Sequence, residues 1–262
     1  MDEQPLAGGV ANAGAVVRVG DHVLRPAGPF TAGVHAFLRA LAAAGFDGAP
    51  RPLGIDADGR QRLTYVEGDV ALPPYPGWAQ VDSALAGLAG LMARFHEAAR
   101  AFDPSPHSWP AAVGDPAGGP VVCHNDVCLD NVVFRGGEPV ALVDFDFAAP
   151  GRPVDDLAAM ARMCVPVDDD ANAARLGWAP ADRPGRLRLV ADAYGLAAAG
   201  RRLLGERLED VLERTETFVR ARVAAEDPNF VAVWAAMGGE QRFARRRAWW
   251  GAHRDRFLAA LR

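Results

Sequence analysis

The sequence predicts an α+β protein in which a small β-rich lobe precedes a larger, mainly helical lobe. Three observations lead to this fold class. Short strand-like runs separated by turn residues fill most of residues 1–67, a proline-rich connector follows from Leu72 to Trp78, and almost every segment after Val154 has a helical pattern. We therefore expect an N-terminal lobe at residues 1–67 and a C-terminal lobe at residues 68–262.

The N-terminal lobe is predicted to be a sheet with one helix. The runs AVVRV and HVLR flank the dipeptide GD, which is typical of a tight β-hairpin. In the next segment four apolar residues recur at helical spacing and a glycine then signals the helix end: Val34, Phe37, Leu38, Leu41 and Gly45. The segment APRPLGIDADGRQRLTYVEGDV predicts two more strands around the turn DADGR.

The C-terminal lobe is predicted to begin with a long helix, which two unusual segments follow. The helix VDSALAGLAGLMARFHEAARAF has Asp82 or Ser83 as its N-cap. The two segments, VVCHNDVCLDNVVF (Val121 to Phe134) and ALVDFDF (Ala141 to Phe147), hold carboxylates and amides between apolar runs. We expect strand–loop–strand–turn–strand, with the turn RGGE joining the last two strands into a hairpin.

Four polar side chains of these segments form a pattern with chemical meaning. His124, Asp126 and Asn131 fit H-x-D-x-x-x-x-N, and Asp144 follows the hairpin. Because the residues that flank a hairpin lie close together, Asn131 and Asp144 should meet at one end of it. Their oxygens suit Mg²⁺, and Asp126 on the same loop could accept a proton from a hydroxyl. Phosphoryl transfer requires this division of labour; the alternative is a chance coincidence of turn and cap residues.

The two segments resemble the aminoglycoside phosphotransferase and choline kinase family, which has a two-lobed protein-kinase-like fold. VCHNDVCLDNVVF and LVDFDFAAPGRPVDDLA carry the resemblance, which is strongest from Gly119 to Ala159. The run LMARFHEA is similar to the end of a helix in that family. The resemblance implies that the protein uses ATP or GTP together with Mg²⁺.

The resemblance also implies roles for the polar residues of the two segments. Asp126 would be the catalytic base, on a loop that His124 braces. Asn131 and Asp144 would bind Mg²⁺. Asp146 has no single implied role, because a second acid at this position can serve structure or chemistry.

The N-terminal lobe would hold the nucleotide. The loop GGVANAG, which includes Gly9 and Asn12, lies where the family has its phosphate-covering loop, and glycines allow backbone N–H groups to approach phosphate. The alternative is that GGVANAG is an ordinary flexible N-terminal segment, since such segments are often rich in glycine and alanine. The segment LTYVEGD would be the hinge, in which backbone groups of Thr64 and Val66 read the adenine edge.

The chain departs from the family at the lysine that binds phosphate. It has no lysine; Arg25 occupies the place, and the predicted helix from Thr31 to Ala44 has no acid to pair with it. We expect Arg25 to bind phosphate without a helix partner. The alternatives are that Arg25 is a surface strand residue or that the site is degenerate and binds nucleotide poorly.

Residues that bind the acceptor are expected in the helical lobe. Asp168, Asp169 and Asp170 form a carboxylate cluster that suits a polycation such as an aminoglycoside, although a helix start with an N-cap Asp gives the same pattern. Trp250 lies in RFARRRAWWGAHRDRF, where apolar and aromatic residues recur at helical spacing. The spacing predicts a packed amphipathic helix, and Trp250 is a candidate for lining the acceptor cleft.

The bulk composition argues against several classes of protein. The net charge of −5 provides no field that would attract nucleic acid. No apolar run approaches the roughly 20 residues of a membrane span, and the N-terminus lacks the pattern of a signal peptide, so we expect a cytoplasmic protein without membrane partners. The cysteines lack CxxC spacing and the histidines lack zinc-site spacing, which argues against disulfides and zinc.

The features together predict a kinase that transfers the terminal phosphate of ATP or GTP to a hydroxyl of a small molecule, such as an aminoglycoside or a related antibiotic or metabolite. The alternative is a non-catalytic nucleotide-binding regulatory protein, a pseudokinase, which the exchange at Arg25 and the acid-free helix would suit. Retention of Asp126, Asn131 and Asp144 favours the kinase, because a decaying site often loses one of these residues. The sequence leaves monomer and dimer open.

Overall fold

The computed structural model describes residues 3–6, 14–111 and 118–262. The predicted phosphate-loop residues Gly9 and Asn12 lie outside these ranges. In the described residues a strand-rich N-terminal part precedes a mostly helical C-terminal part, which confirms the predicted α+β class.

The chain divides into two compact units. One consists of described residues within 1–70 and 91–153, and the other consists of residues 71–90 and 154–262. These units do not coincide with the two lobes expected from the sequence, and the lobe boundary between residues 67 and 68 stays a prediction.

The first unit contains the β-structure. The strands in the described residues are β1 (Gln4–Pro5), β2 (Val17–Val19), β3 (His22–Pro26), β4 (Pro52–Ile55), β5 (Arg60–Thr64), β6 (Asp69–Val70), β7 (Val121–Cys123), β8 (Val132–Arg135), β9 (Glu138–Leu142) and β10 (Ala149–Gly151). They form a five-stranded sheet in the order β1-β2-β3-β5-β4, a three-stranded sheet β6-β8-β9 and a two-stranded sheet β10-β7. All the pairs are antiparallel.

Eight α-helices are present in the same ranges. They are α1 (Thr31–Ala43), α2 (Asp82–Ala99), α3 (Pro153–Cys164), α4 (Asp170–Arg175), α5 (Arg183–Tyr194), α6 (Ala198–Ala224), α7 (Pro228–Met237) and α8 (Gly239–Ala260). None of these helices combines the length and the apolar character needed to cross a membrane.

The predicted hairpin and helix of the N-terminal region are confirmed. β2 and β3 pair with Val19 opposite His22, and Gly20 in the turn has a φ of 62°, which glycine adopts without strain. α1 ends before Gly45, whose φ of 82° stops the helix. The apolar stripe of α1 is buried as its spacing predicts.

An aromatic cluster forms much of the core of the first unit. Phe37 of α1 packs edge-on against Phe95, with 6.0 Å between ring centroids, and Phe145 lies 6.0 Å from Phe95. All three rings are buried. Burial of one such side chain stabilises the fold by about 1.5–3 kcal/mol. Phe145 directly follows Asp144, so the cluster also fixes the backbone next to a predicted metal ligand.

The second unit is held together by helices whose facing sides bury arginines as well as apolar residues. α8 buries Phe243, Trp250 and Phe257 together with Arg242 and Arg246, which confirms the predicted packed amphipathic helix. Burial lowers the pKa of Arg246 to about 10. The three cysteines of the chain are buried.

Candidate active site

The β8–β9 hairpin positions the two predicted metal ligands. Val132 pairs with Leu142 at the open end of the hairpin, so Asn131 and Asp144 flank the same end, and the Val143 N–H donates to the Asn131 carbonyl at 2.9 Å. Asp144 has a left-handed backbone with a φ of 63°, a conformation that Asp tolerates better than most residues. The structure thus brings Asn131 and Asp144 together, as the hairpin pattern predicts.

His124 connects the loop to the end of β9. Its ring is fully buried and lies 4.6 Å from the ring of Phe145. Nε2 is 3.0 Å from the Val143 carbonyl, and Nδ1 lies 3.3 Å from the Asp126 N–H. A neutral imidazole with its proton on Nε2 satisfies both contacts. His124 therefore holds Asp126 at a fixed distance from Val143, the residue between the end of β9 and Asp144.

Asp126 and Asn131 are in direct contact. Asn131 Nδ2 donates to the Asp126 carbonyl at 2.8 Å and to the Asp126 carboxylate at 3.0 Å. Because the amide nitrogen is used in this way, Oδ1 is the Asn131 atom that could ligate a metal. Asn131 Oδ1 and the carboxylate of Asp144 are hard oxygen donors, so the residues present fit Mg²⁺.

A cleft in the first unit is lined by Asn131 and Asp144. Its volume is about 970 Å³, including the part that is open to solvent. The walls are mostly apolar and come from the five-stranded sheet and the β8–β9 hairpin, whereas the remaining lining groups are polar or belong to the predicted hinge. The apolar residues are Leu6, Val16, Val23, Pro50, Leu63, Val70, Val133 and Val143; the others are Arg25, Thr64, Tyr65, Val66, Gly68, Asp130, Asn131 and Asp144.

The hinge residues Thr64 and Val66 both line this cleft. The Thr64 N–H donates to the Arg51 carbonyl at 2.9 Å, so this N–H is not available to a base. In the described part of the chain, the Val66 N–H donates to no protein acceptor. Gly68 has a φ of 142°, and a Cβ there would lie 2.4 Å from the Phe134 carbonyl oxygen, so only glycine fits this turn.

Arg25 is buried and contacts the acidic segment. Its side chain is 8% exposed, which excludes the surface position considered above. Nη1 lies 3.1 Å from Asp144 Oδ1, and Nη2 donates to Asp146 Oδ2. The sequence pattern did not show these partners, because they lie far from Arg25 along the chain.

A side chain of helix α1 forms a neutral hydrogen-bonded pair with a side chain of β5, the strand next to that of Arg25. His35 Nε2 lies 3.2 Å from Gln61 Oε1, and Gln61 lies opposite Arg25 in the β3–β5 pair. Both side chains are buried, and burial lowers the pKa of His35. Sequence reasoning missed Gln61, although the alternation of β5 puts it on the same buried face as Leu63.

The predicted acceptor carboxylates have structural partners in the second unit. Asp168 and Asp169 are buried against Arg242, with Asp169 Oδ2 at 3.1 Å from Arg242 Nη1. Asp169 also caps α4, as the alternative interpretation of this segment expected. Asp170 is exposed and lies 2.9 Å from Arg183. Two of the three acids are thus satisfied inside the protein.

Trp250 is also buried in the second unit, with its ring centroid 5.6 Å from that of Phe257. This burial explains why Trp250 is one of the residues that recur at helical spacing in α8. A role in lining an acceptor cleft stays a prediction.

Comparison with known proteins agrees with the geometry. Residues 106–190 match the model of the phosphotransferase enzyme family. The trifolitoxin immunity protein of Rhizobium leguminosarum bv. trifolii is 31% identical over 272 residues, which cover 99% of each chain. The chain belongs to the phosphotransferase enzyme family.

Solved structures of this family's fold resemble the chain over nearly its whole length. A choline/ethanolamine kinase family protein from Mesorhizobium loti has a TM-score of 0.64 and 21% identity, and the match covers 100% of this chain and 92% of that one. The GDP complex of aminoglycoside 2'-phosphotransferase-IIIa has a TM-score of 0.58 and 17% identity, covering 95% of this chain and 93% of that one. The predicted protein-kinase-like fold is confirmed.

Proposed function

We propose that this phosphotransferase moves the terminal phosphate of ATP or GTP to a hydroxyl of a small-molecule acceptor. One observation carries the proposal: Asn131 and Asp144 lie at the polar end of a cleft that Thr64 and Val66 also line, and Asp126 contacts Asn131. An apolar cleft suits a purine, and the adjoining oxygen donors suit a metal and a phosphate.

Four polar residues in or next to this part of the cleft have a proposed task. Asp126 orients the acceptor hydroxyl and takes its proton, while Asn131 and His124 hold Asp126 in place. Asn131 Oδ1 and the Asp144 carboxylate hold Mg²⁺, which supplies positive charge next to the phosphate oxygens. This arrangement demands little covalent chemistry from the protein, because positioning and charge neutralisation do most of the work.

The hinge is proposed to recognise the base through its backbone. The Thr64 carbonyl would accept a hydrogen bond from the base and the Val66 N–H would donate one to it, and such a pair can read the edge of either adenine or guanine. The relative solved with GDP supports the inclusion of guanine nucleotides beside ATP in any test.

The acceptor is proposed to be a hydroxyl-bearing antibiotic or toxin. The relative that is 31% identical is named as an immunity protein against trifolitoxin, which supports a protective role. The burial of Asp168 and Asp169 against Arg242 weakens the case for a polycationic acceptor, since these carboxylates are already paired. The feature that we require of the acceptor is therefore a hydroxyl group and not a positive charge.

A transfer assay tests this function. The purified protein is incubated with Mg²⁺, ATP or GTP labelled on the terminal phosphate, and a panel of hydroxylated antibiotics. We expect label on at least one acceptor with the wild type and with Asp58→Asn, an exposed control carboxylate of the same unit, and none with Asp144→Ala. Absence of transfer to every acceptor, while nucleotide still binds with Mg²⁺, would contradict the proposal.

A second candidate function rests on the contact between Arg25 and Asp144. Arg25 occupies an oxygen of Asp144, which is a proposed metal ligand. An ion pair at this position is expected of a protein that binds nucleotide but does not transfer its phosphate. Such a protein would protect by sequestering its ligand. Cells that express Asp126→Asn and remain as resistant as wild-type cells to the challenging compound would favour this candidate over the kinase.

A further inference from the structure

The surroundings of Arg25 differ from those expected of a phosphate-binding cation on this strand. The family's ion pair joins the strand residue to an acid on the following helix. Here the helix residue at the strands is His35, which is hydrogen-bonded to Gln61. Gln61 Nε2 donates to the Pro26 carbonyl at 3.0 Å, so the Gln61 amide has a donor and an acceptor partner. The helix side therefore offers Arg25 no negative charge.

The negative charge next to Arg25 comes instead from the acidic segment that follows β9. Arg25 divides its two terminal nitrogens between two carboxylates, with Nη1 on Asp144 and Nη2 on Asp146. A guanidinium that is 8% exposed needs such partners, because an unpaired buried charge is strongly disfavoured. Arg25 lines the cleft, and each of its terminal nitrogens carries a second N–H, so the guanidinium retains donor capacity toward a bound phosphate.

We propose that Asp146 is a positioning residue that replaces the missing helix acid and holds Arg25 at the phosphate end of the cleft. The inference rests on the proposed function, because it assumes that a nucleotide phosphate is what Arg25 contacts. Asp144 is a proposed metal ligand and so has a second task. Asp146 is not one of the proposed metal ligands, so its contact with Arg25 does not occupy a ligand atom, and this contact gives it the role that the sequence left open.

The inference predicts an effect that depends on the phosphates. Binding of Mg²⁺–ATP, Mg²⁺–GTP and the corresponding nucleosides is measured by calorimetry for the wild type, Asp146→Asn, Arg25→Gln and the double variant. Asp146→Asn should weaken triphosphate binding about tenfold, as expected for loss of a charge-assisted hydrogen bond. Nucleoside binding should change less than about twofold, because the hinge and the apolar walls are intact.

The double variant provides the decisive comparison. If Asp146 acts through Arg25, the double variant binds triphosphate about as weakly as Arg25→Gln alone. Asp146→Glu, which keeps the charge, should recover part of the affinity. Asp58→Asn is the matched control, because Asp58 contacts Arg60 at 2.8 Å on the exposed edge of the same sheet, and it should bind like the wild type.

Three results would overturn the inference. Unchanged triphosphate affinity in Asp146→Asn would show that Asp146 does not position Arg25. Equal losses for nucleoside and triphosphate, together with a lower unfolding temperature without ligand, would show a general structural role. If the wild type binds neither nucleotide, both the inference and the proposed function are wrong. If the wild type binds nucleotide and Asp146→Asn binds it equally well, only the inference is wrong.

Discussion

Each unit of the protein contains an arginine that contacts two carboxylates, and the two clusters differ in exposure. In the first unit Arg25 contacts Asp144 and Asp146, whose side chains are 30% and 37% exposed. In the second unit Arg242 contacts Asp168 and Asp169, whose side chains are 10% and 7% exposed. We call these the cleft cluster and the sealed cluster.

The difference in exposure separates a candidate site from a structural network. The carboxylates of the sealed cluster are fully engaged, because Asn172 donates to Asp168 at 2.8 Å through its side chain and to Asp169 at 3.1 Å through its backbone. Arg25 and Asp144 of the cleft cluster line a cavity, and the two carboxylates of the cluster remain partly exposed, as a group that binds a cation requires. Similar groups of acids in a sequence can thus serve chemistry in one place and stability in another.

The largest effect is expected at the base beside the cleft cluster. Asp126→Asn removes the proposed proton acceptor but keeps the shape of the side chain and one oxygen that can accept from Asn131 Nδ2. The rate of phosphate transfer should fall by about 10²–10⁴-fold, which is the usual contribution of a general base, while nucleotide affinity stays close to that of the wild type. Steady-state rates with the acceptor found in the transfer assay measure this change, and a rate within twofold of the wild type would remove Asp126 from the mechanism.

The next effect contrasts the two arginines. Arg242→Gln leaves two buried carboxylates without their cation and should lower the free energy of unfolding by about 3 kcal/mol, whereas nucleotide affinity stays unchanged. Arg25→Gln should cost only about 1 kcal/mol, because Asp144 and Asp146 keep part of their hydration, but it should weaken triphosphate binding. Denaturant unfolding and calorimetry of the two variants measure both quantities. Equal losses of stability would erase the distinction between the clusters.

A smaller effect, on the pH dependence of stability, is expected from the hydrogen-bonded pair of His35 and Gln61. Burial lowers the pKa of His35, so the folded protein takes up this proton at a lower pH than the unfolded chain, whose His titrates near 6.5. The contribution of His35 is therefore complete above about pH 6.5 and is lost as the pH falls toward the folded pKa. His35→Gln should flatten this part of the stability curve; an unchanged slope below pH 6.5 would assign the acid sensitivity to other groups.

The smallest effect concerns the exposed neighbour of the sealed cluster. The side chain of Asp170 is 78% exposed and contacts Arg183, so Asp170→Asn should change the free energy of unfolding by no more than about 0.5 kcal/mol. Binding of the acceptor should also stay unchanged. A loss of acceptor affinity in this variant would restore the acid segment as an acceptor site and would contradict its assignment to the structural network.

The sequence could predict those parts of the site that depend on local pairing. Asn131 and Asp144 flank one hairpin, so the strand pattern and a short turn were enough to bring them together. The hairpin of β2 and β3 and the apolar stripe of α1 were predictable for the same reason. Periodicity reports on the element to which a residue belongs and on the face that the element buries.

The partners of Arg25 and Asp168 could not be predicted in this way. Asp144 is 119 residues from Arg25, and Arg242 is 74 residues from Asp168, and no periodic pattern relates such distant positions. Gln61 did carry a signal, because a polar residue on the buried face of a strand requires a hydrogen-bond partner. The partner that it found, His35, depends on how α1 packs against the sheet.

The most direct test of the account is the dependence of nucleotide binding on Mg²⁺. Calorimetric titration with ATP and with GTP, each with and without Mg²⁺, is carried out on the wild type, Asp144→Ala and Arg242→Gln. We predict metal-dependent binding of at least one nucleotide that is lost in Asp144→Ala and kept in Arg242→Gln at a temperature where both variants are folded. Binding that survives in Asp144→Ala, or no binding in the wild type, would contradict the assignment of the cleft cluster as a nucleotide and metal site.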